Sequence, residues 1–275
     1  MSWRVVELLN ADIYHMHAVE DIIMDQVEHH HSSNTIILST VKPSISISHE
    51  ENYYLDIDEG ACARDNIDIT RRFSGGRSMY LDQNHLIVSI IRNDHTFIDV
   101  SQTYSEGLTM IVDALKAVTG RQFNIRRDDI TISNRKIGGA SQRNSNTYNM
   151  VHCYIRLNTD IDNMLKYVMI DGHRLEPYKS IIKKHVTSIG EITSMTPESF
   201  YKEFKRELLK GVESHQADLH QYREDIKKRV LEYMDKEYIK GNHNFSSKGN
   251  CDIIVGSGSK AKLIIESLEG KVKFS

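Results

Sequence analysis

Residues 67–92 read IDITRRFSGGRSMYLDQNHLIVSIIR, and the order of elements in this stretch decides the fold class. β-branched and apolar residues alternate on both sides of a Ser-Gly-Gly bend, which is the pattern of two strands with one buried face each. The phosphate loops of the common nucleotide-binding folds read G-x-x-x-x-G-K-[ST] or G-x-G-x-x-G and lead into a helix. This bend matches neither pattern and joins two strands, so the chain lacks the standard nucleotide fingerprints.

The rest of the chain mixes helical and strand patterns. Residues 12–30 and 101–119 place apolar side chains at helical spacing, whereas residues 128–143, DDITISNRKIGGASQR, read as two strands around a tight turn. Two short β-branched runs at residues 34–41 and 43–51 are expected to pair with each other. These patterns predict an α+β (α/β) fold in which a mixed, mostly antiparallel sheet is flanked by helices.

Composition excludes several functional classes. The 275 residues are 39% hydrophobic with a formal net charge of −3, so the chain can bury a sizeable core and is not a strongly basic nucleic-acid binder. No apolar run approaches the ~20 residues that span a bilayer, and the N-terminus lacks a signal-peptide core, so we expect a cytoplasmic protein without membrane or nucleic-acid partners. Cys62, Cys153 and Cys251 are widely spaced and are expected to be free thiols.

The Ser-Gly-Gly bend concentrates positive charge. Arg71, Arg72 and Arg77 surround Gly75 and Gly76, so guanidinium groups and backbone N–H groups could bind phosphate oxygens together. A glycine hairpin turn whose arginines lie in solvent fits the composition equally well.

A second glycine pair follows a lysine, in the stretch Lys136-Ile137-Gly138-Gly139-Ala140. The small residues would let a ligand approach the backbone closely, and the ammonium could act as a point charge on carbonyl and phosphate oxygens. An exposed hairpin lysine is the alternative interpretation.

These two motifs, in this order and followed by MVHCYIRLNTDID at residues 150–162, resemble the lipoate-protein ligase A family. Its superfamily also contains the biotin protein ligases and the octanoyl or lipoyl transferases. The resemblance implies a biotin/lipoate ligase-like catalytic domain over residues 1–195. We expect a helical subdomain over residues 196–245 and a short β tail over residues 246–275, which could be the remnant of an accessory domain.

The resemblance also implies a reaction. ATP with Mg²⁺ would activate lipoate or octanoate as an acyl-adenylate, and the acceptor lysine of a lipoyl domain would then attack the acyl carbon. The implied acceptors are 2-oxoacid dehydrogenase E2 subunits or the glycine cleavage H protein, and a separate accessory protein could be needed for adenylation. Lys136 is implied as the catalytic group that holds the acyl carbonyl and the α-phosphate, and Arg72 as a nucleotide contact. The residues implied to bind the nucleotide and the acyl group are Arg72, Ser74, Gly75, Gly76, Arg77, Ser78, Met79, Tyr80, Asp82, Lys136, Gly138, Gly139, Ala140 and His152.

Some of these positions keep an alternative. His152 could be a histidine whose hydrogen bonds are satisfied within its strand, and Asp82 could organise its loop rather than touch a ligand. No protein metal ligand is expected, since the run His29-His30-His31 is more typical of a solvated helix end than of a metal site.

The chain departs from the ligase pattern in the bend, which reads Gly-Gly-Arg-Ser where ligases usually have Gly-Gly-Gly-Ala. A Gly-Gly-Arg loop is similar to the octanoyltransferases, which carry the acyl group on a cysteine and need no ATP. Transfer from acyl carrier protein or another lipoyl domain is therefore the alternative function, and a non-catalytic acyl- or nucleotide-binding protein is a third hypothesis. The segments that hold the transferase cysteine, here residues 123–130 and 171–178, contain none. Cys153 follows His152 on a strand and should point to the opposite face, so the sequence favours the ATP-dependent ligase.

Overall fold

The computed structural model describes residues 2–30, 33–93, 100–145, 147–158, 161–241, 252–253, 263–266 and 271–274. The described strands, in chain order, are β1 (Trp3–Ala11), β2 (Thr35–Val41), β3 (Ser44–Ile47), β4 (Asp68–Arg71), β5 (Met79–Leu81), β6 (His85–Asn93), β7 (Asn124–Arg126), β8 (Asp129–Ile132), β9 (Arg135–Asn144), β10 (Tyr148–Arg156), β11 (Met169–Ile170), β12 (His173–Arg174), β13 (Ser214–Gln216), β14 (Asp252–Ile253), β15 (Leu263–Glu266) and β16 (Lys271–Phe274). The described α-helices are α1 (Ile13–His30), α2 (Tyr53–Asp56), α3 (Glu59–Asp65), α4 (Val100–Thr119), α5 (Ile161–Tyr167), α6 (Lys179–His185), α7 (Ile189–Ile192), α8 (Pro197–Leu208), α9 (Arg223–Tyr233) and α10 (Lys236–Lys240).

The main sheet has eight strands in the order β13-β1-β2-β6-β10-β9-β8-β7. β1 pairs in parallel with both β13 and β2, and every other pair in this sheet is antiparallel. The prediction of a mixed, mostly antiparallel sheet flanked by helices is confirmed.

Helices cover both faces of this sheet. On one face α4 and α8 pack on side chains such as Leu38 and Cys153, and on the other α1 and α9 pack on side chains such as Ile37 and Met150. All nine residues of β10 are buried, because a strand covered on both faces has no solvent side.

A second sheet of three strands carries the Ser-Gly-Gly bend. Its order is β4-β3-β5, with β3 parallel to β4 and antiparallel to β5. β4 and β5 are therefore not neighbours, and the bend between them is not a hairpin turn. The expected pairing of β2 with β3 is also wrong, because the chain leaves the main sheet at Lys42-Pro43 and β3 starts the second sheet. Proline has no backbone N–H for a sheet ladder, which suits this break.

The segment expected to form a helical subdomain contributes buried side chains to the apolar clusters on both faces of the main sheet. Phe200 and Phe204 of α8 are fully buried in the cluster that contains α4, and Ile226 of α9 is buried with the apolar side of α1. β13 extends the sheet at the outer edge of β1. The domain division stays a prediction. In the tail, β14, β15 and β16 form a three-stranded antiparallel sheet.

None of the described helices is long and apolar enough to cross a membrane.

Candidate functional site

Residues 72–78, here called the glycine loop, are folded around the side chain of Arg72. Its Nη2 donates to the carbonyl oxygens of Gly75 and Arg77, at 2.8 Å each. Gly76 adopts φ +89°, a conformation that glycine reaches without steric cost. A Cβ at Gly76 would lie 3.3 Å from Nη2 of Arg72. Arg72 therefore fixes the path of the loop through charge-assisted hydrogen bonds.

Glu51 holds the far end of the glycine loop. Its carboxylate accepts hydrogen bonds from both N and Oγ of Ser78, at 2.6 Å each, and pairs with Nη1 of Arg77 at 3.1 Å. The Arg77 side chain is 52% exposed, whereas that of Glu51 is 9% exposed. The loop is thus held from inside the protein, and Arg77 lies at its outer rim.

Arg71 is not part of the phosphate-binding group that the sequence suggested. The side chain is fully buried and donates to four backbone carbonyls, those of Ile239 at 3.0 Å, Ser48 at 2.6 Å, His49 at 3.4 Å and Glu51 at 2.9 Å. Burial lowers the pKa of its guanidinium. Arg71 instead joins the end of α10 to the segment that follows β3.

The hairpin of β8 and β9 carries the second motif. Ser133 and Asn134 both have positive φ, 49° and 62°, as the favoured two-residue hairpin turn requires. Thr131 lies opposite Lys136, but Ile130 lies opposite Gly138, so β9 contains one extra residue. Such a β-bulge bends the strand and redirects its side chains.

Lys136 is held by the residues around it. Its Nζ forms an ion pair with the buried carboxylate of Asp129 and lies 5.9 Å from the centre of the Tyr154 ring. Burial alone would lower the pKa of the ammonium, but Tyr154 and Asp129 outweigh it and raise the pKa above its ordinary value. Lys136 is therefore a fixed positive charge at neutral pH.

The two glycines after Lys136 have different tasks. A Cβ at Gly138 would lie 2.3 Å from the backbone oxygen of Tyr154, so only glycine fits there. A Cβ at Gly139 would lie 3.0 Å from Cε and Nζ of Lys136. Gly138 permits the close approach of β9 to β10, and Gly139 leaves room for the lysine.

The glycine loop and the lysine hairpin line one cavity of about 160 Å³. Among the described residues of its wall, four side chains are cationic, those of Arg72, Arg77, Lys136 and Arg156, and one is a carboxylate, Asp128. A wall of this kind attracts anions. Apolar surface comes from Met79, Tyr80, Tyr154 and Met164.

His152 lies on the inner wall of the cavity, where it is 1% exposed. Its Nδ1 lies 2.7 Å from Oε1 of Glu20 and 3.1 Å from Oγ of Ser89. Hydrogen bonds thus engage one ring nitrogen, with partners on α1 and β6 rather than in its own strand, while the ring also borders the cavity.

Ten of the predicted site residues come together in the cavity wall: Arg72, Gly76, Arg77, Ser78, Met79, Tyr80, Lys136, Gly139, Ala140 and His152. Four others lie outside the wall: Ser74, Gly75, Asp82 and Gly138. Two of these support it, since Ser74 Oγ lies 2.9 Å from Oγ of Ser141, and Asp82 Oδ1 lies 2.9 Å from Nδ1 of His85. Whether these residues contact a ligand stays a prediction.

Sequence reasoning missed six residues of the wall: His85, Asp128, Ser141, Tyr154, Arg156 and Met164. Strand alternation from His152 would have found Tyr154 and Arg156, two and four residues further on the same face. Ser141 lies opposite His152 in the sheet, which only the strand register reveals.

The two described cysteines lie elsewhere. Cys153 is fully buried in the cluster on the opposite face of β10, and burial raises the pKa of its thiol. Cys62 is buried in α3, where burial and nearby carboxylates raise its pKa to about 12. Neither borders the cavity, and both thiols are poor nucleophiles at neutral pH. Cys251 lies outside the described residues.

Within the described ranges no three His, Cys, Asp or Glu side chains are placed to hold a metal. In the run of three histidines, Nδ1 of His29 lies 2.9 Å from the Asp25 carbonyl oxygen. The side chains of His30 and His31 lie outside the described residues.

Comparison with known proteins identifies the family. The model for the lipoyl protein ligase A/B catalytic domain matches residues 12–213. The chain belongs to the lipoyl protein ligase A/B catalytic domain family. The resemblance to the lipoate-protein ligase A family, which the two glycine motifs indicated, is thereby confirmed.

Individual members of the family are distant. A putative lipoate-protein ligase A of Schizosaccharomyces pombe is 25% identical over 211 residues, 76% of this chain and 53% of that protein. Lipoate-protein ligase 1 of Staphylococcus aureus is 28% identical over 62% of this chain and 51% of that protein. The chain thus spans about half the length of these relatives. The octanoyltransferase LipM of Clostridioides difficile is 25% identical over 87% of this chain and 98% of that protein.

Solved structures of lipoate ligases share the fold. The bipartite lipoate protein ligase of Thermoplasma acidophilum aligns over 90% of this chain and 100% of its own, with a TM-score of 0.76 at 14% identity. A lipoate-protein ligase A bound with ATP aligns over 88% of this chain and 99% of its own, with a TM-score of 0.73 at 14% identity. At these identities the likeness concerns the fold alone.

Proposed function

We propose that this protein attaches lipoate or octanoate to the acceptor lysine of a lipoyl domain, through an acyl-adenylate made from ATP. The observation that carries this proposal is the single cavity in which the glycine loop faces Lys136. Cationic groups at one wall suit a phosphate, and the apolar surface of Met79, Tyr80 and Met164 suits an acyl chain.

The residues of the cavity have distinct tasks in this reaction. Lys136 is a permanent ammonium that can bind the acyl carbonyl oxygen and an α-phosphate oxygen, where negative charge develops. Arg72 and Glu51 hold the glycine loop in one shape before the substrate arrives. Donors fixed in advance stabilise developing charge without reorganisation at the moment of reaction. Arg72 also borders the cavity and is the proposed nucleotide contact.

Magnesium is expected to arrive with the nucleotide. Mg²⁺ is commonly held by substrate phosphates and one or two carboxylates, with water completing the shell. Among the described residues, Asp128 is the carboxylate of the cavity wall, and we propose that it would supply a protein oxygen, which revises the expectation of no protein metal ligand. The ion would offset phosphate charge.

The positions of the two described cysteines support the ligase over a thioester transferase. Acyl transfer through a cysteine needs a reactive thiolate at the reacting carbonyl. Cys153 and Cys62 are buried away from the cavity with raised pKa values.

A second candidate function is octanoyl transfer without ATP, with acyl carrier protein or another lipoyl domain as donor. Two observations favour it. The loop reads Gly-Gly-Arg-Ser, and the match to an octanoyltransferase spans 98% of that protein.

The proposed acceptors are lipoyl domains, such as those of 2-oxoacid dehydrogenase E2 subunits or the glycine cleavage H protein. A separate accessory protein for adenylation is also proposed, because the fold is shared with a ligase described as bipartite.

The mass of an apo lipoyl domain tests the proposal. One reaction contains lipoate and Mg-ATP, and the other contains octanoyl-carrier protein without ATP. We expect a gain of one acyl group in the first reaction, retained by the double variant Cys62→Ser, Cys153→Ser. Modification only from the carrier protein would contradict the ligase, and no modification in either reaction, even with a candidate accessory protein, would favour an acyl- or nucleotide-binding protein.

A further inference from the structure

A buried carboxylate on α1 lies between two histidines behind the cavity. Glu20 is 3% exposed, its Oε1 lies 2.7 Å from Nδ1 of His152, and its Oε2 lies 2.9 Å from Nδ1 of His17. Ser89 Oγ also donates a hydrogen bond to Glu20. Burial alone would raise the pKa of this carboxyl, but His152 and His17 outweigh it and hold the pKa below its usual range. Glu20 is therefore an ionised carboxylate inside the protein.

Glu20 and Ser89 engage only one of the two ring nitrogens of His152. Nδ1 is engaged by Glu20 and Ser89, whereas Nε2 is buried and has no hydrogen-bond partner among the described residues. A carboxylate at Nδ1 favours the tautomer with its proton on that atom. Nε2 then carries a lone pair, and the ring to which it belongs borders the cavity.

The transfer step needs a proton acceptor at this place. An acceptor lysine is an ammonium at neutral pH and must lose protons as its nitrogen forms the amide. Lys136, Arg72 and Arg156 are cations and cannot take a proton. His85 also borders the cavity, but burial lowers the pKa of its ring, which weakens it as a base.

We propose that His152 is the general base of acyl transfer and that Glu20 is its positioning residue. This inference rests on the proposed function. The acceptor ammonium first loses one proton to solvent, and the neutral amine attacks the acyl carbon. The N–C bond forms while the bond from the acyl carbon to the phosphate oxygen breaks, and AMP leaves with that electron pair. The second proton passes from the nitrogen to Nε2 of His152, and the resulting imidazolium is stabilised by Glu20.

The test separates the two half-reactions with the full-length protein. Adenylate formation is followed from lipoate and Mg-ATP, and transfer is followed in single turnovers from supplied lipoyl-adenylate to an apo lipoyl domain. Glu20→Gln keeps the size of the side chain but removes the charge that fixes the tautomer. We expect the transfer rate constant to fall on the order of 10²-fold, the usual contribution of a general base, with little change in adenylate formation or in the KM for the acceptor.

Asp21→Asn is the matched control. Asp21 is the next residue of α1 and is also buried, but its carboxylate accepts a hydrogen bond from Tyr233 at 2.8 Å rather than from a histidine. This variant should transfer at the wild-type rate. Equal losses in Asp21→Asn and Glu20→Gln would overturn the proposal, as would a Glu20→Gln protein that loses both half-reactions equally.

His152→Ala gives a readout that a structural role would not move. Removing the ring opens space at the cavity wall, so added imidazole should restore transfer in proportion to its concentration without accelerating the wild type. Absence of rescue, or rescue of His85→Ala instead, would overturn the assignment. If Glu20→Gln transfers the acyl group as fast as an active wild type, this proposal is overturned but the proposed function is not. A wild type that transfers neither from lipoyl-adenylate nor from octanoyl-carrier protein would overturn the proposed function as well.

Discussion

Replacing Gly139 by alanine tests whether the position of Lys136 matters for the chemistry. The added Cβ would lie 3.0 Å from Cε and Nζ of Lys136 and 3.1 Å from Cε1 of Tyr154. Ordinary contacts between non-bonded heavy atoms are about 3.5–4.0 Å, so the end of the lysine has to move by roughly 0.5–1 Å. A displacement of about 1 Å at a reacting centre can reduce the rate by ~10²-fold. We expect the kcat of lipoyl-domain modification to fall by about 10- to 100-fold.

The fold should survive Gly139→Ala, because the displaced atoms belong to the side chains of Lys136 and Tyr154 and not to the backbone. We expect the free energy of unfolding, measured with urea, to change by about 1 kcal/mol or less. Gly138→Ala is the contrasting variant, since its Cβ would meet the Tyr154 carbonyl oxygen at 2.3 Å, and it should lose stability by about 3 kcal/mol or more.

A double-mutant cycle identifies the cause of the activity loss. In a Lys136→Ala background, Gly139→Ala should reduce the residual activity little further, because residues that act through one another are not additive. Full activity in Gly139→Ala, or equal fold-losses in both backgrounds, would show that the position of Lys136 does not control the rate.

Three further outcomes are expected in the glycine loop and its support. Glu51→Gln weakens the charge-assisted hydrogen bonds to Ser78, which are worth about 1.5–3 kcal/mol. The KM for ATP in a modification assay should therefore rise about tenfold or more, and an unchanged KM would contradict the role of Glu51. Gly75→Ala should keep full activity, because nothing lies within 4 Å of a Cβ at that position. Gly76 has φ +89°, so Gly76→Ala should lose activity and about 1–2 kcal/mol of stability. Equal stability of the two variants in urea unfolding would contradict this. Burial and the charge of Glu51 raise the pKa of the Asp56 carboxyl to about 7. Between about pH 4 and pH 7 the folded state therefore binds more protons than the unfolded chain, and the free energy of unfolding falls as pH rises. Urea unfolding of Asp56→Asn should show a weaker loss of stability across that window than wild type, and parallel curves would argue against a raised pKa.

The sequence reveals those parts of the fold that depend on local periodicity. The helices predicted at 12–30 and 101–119 appear as Ile13–His30 and Val100–Thr119, because an amphipathic stripe of that length favours one element. The insertion of β3 between β4 and β5 could not be predicted, and neither could the parallel pair of β1 and β13. Such pairs join distant segments, and no local pattern encodes their register.

Within the site, too, the sequence reveals local features and not the contacts between distant segments. Lys136 and the glycine loop stand out in the sequence because glycine pairs and clustered charge are local features. Glu51 holds the glycine loop from the segment after β3, and Glu20 holds His152 from α1. No spacing rule connects Glu20 with a histidine 132 residues later. The role of Arg71 was misjudged because a run of arginines does not show which of them is buried.

Binding of a non-hydrolysable acyl-adenylate analogue shows whether the cavity holds the nucleotide and the acyl group together. We expect saturable one-to-one binding to the wild type by calorimetry. Lys136→Ala should raise the Kd about tenfold or more, as expected for the loss of a charge-assisted hydrogen bond, and the Cys62→Ser, Cys153→Ser double variant should bind like the wild type. A wild type that does not bind the analogue, or a Lys136→Ala variant that binds it equally well, would contradict the claim.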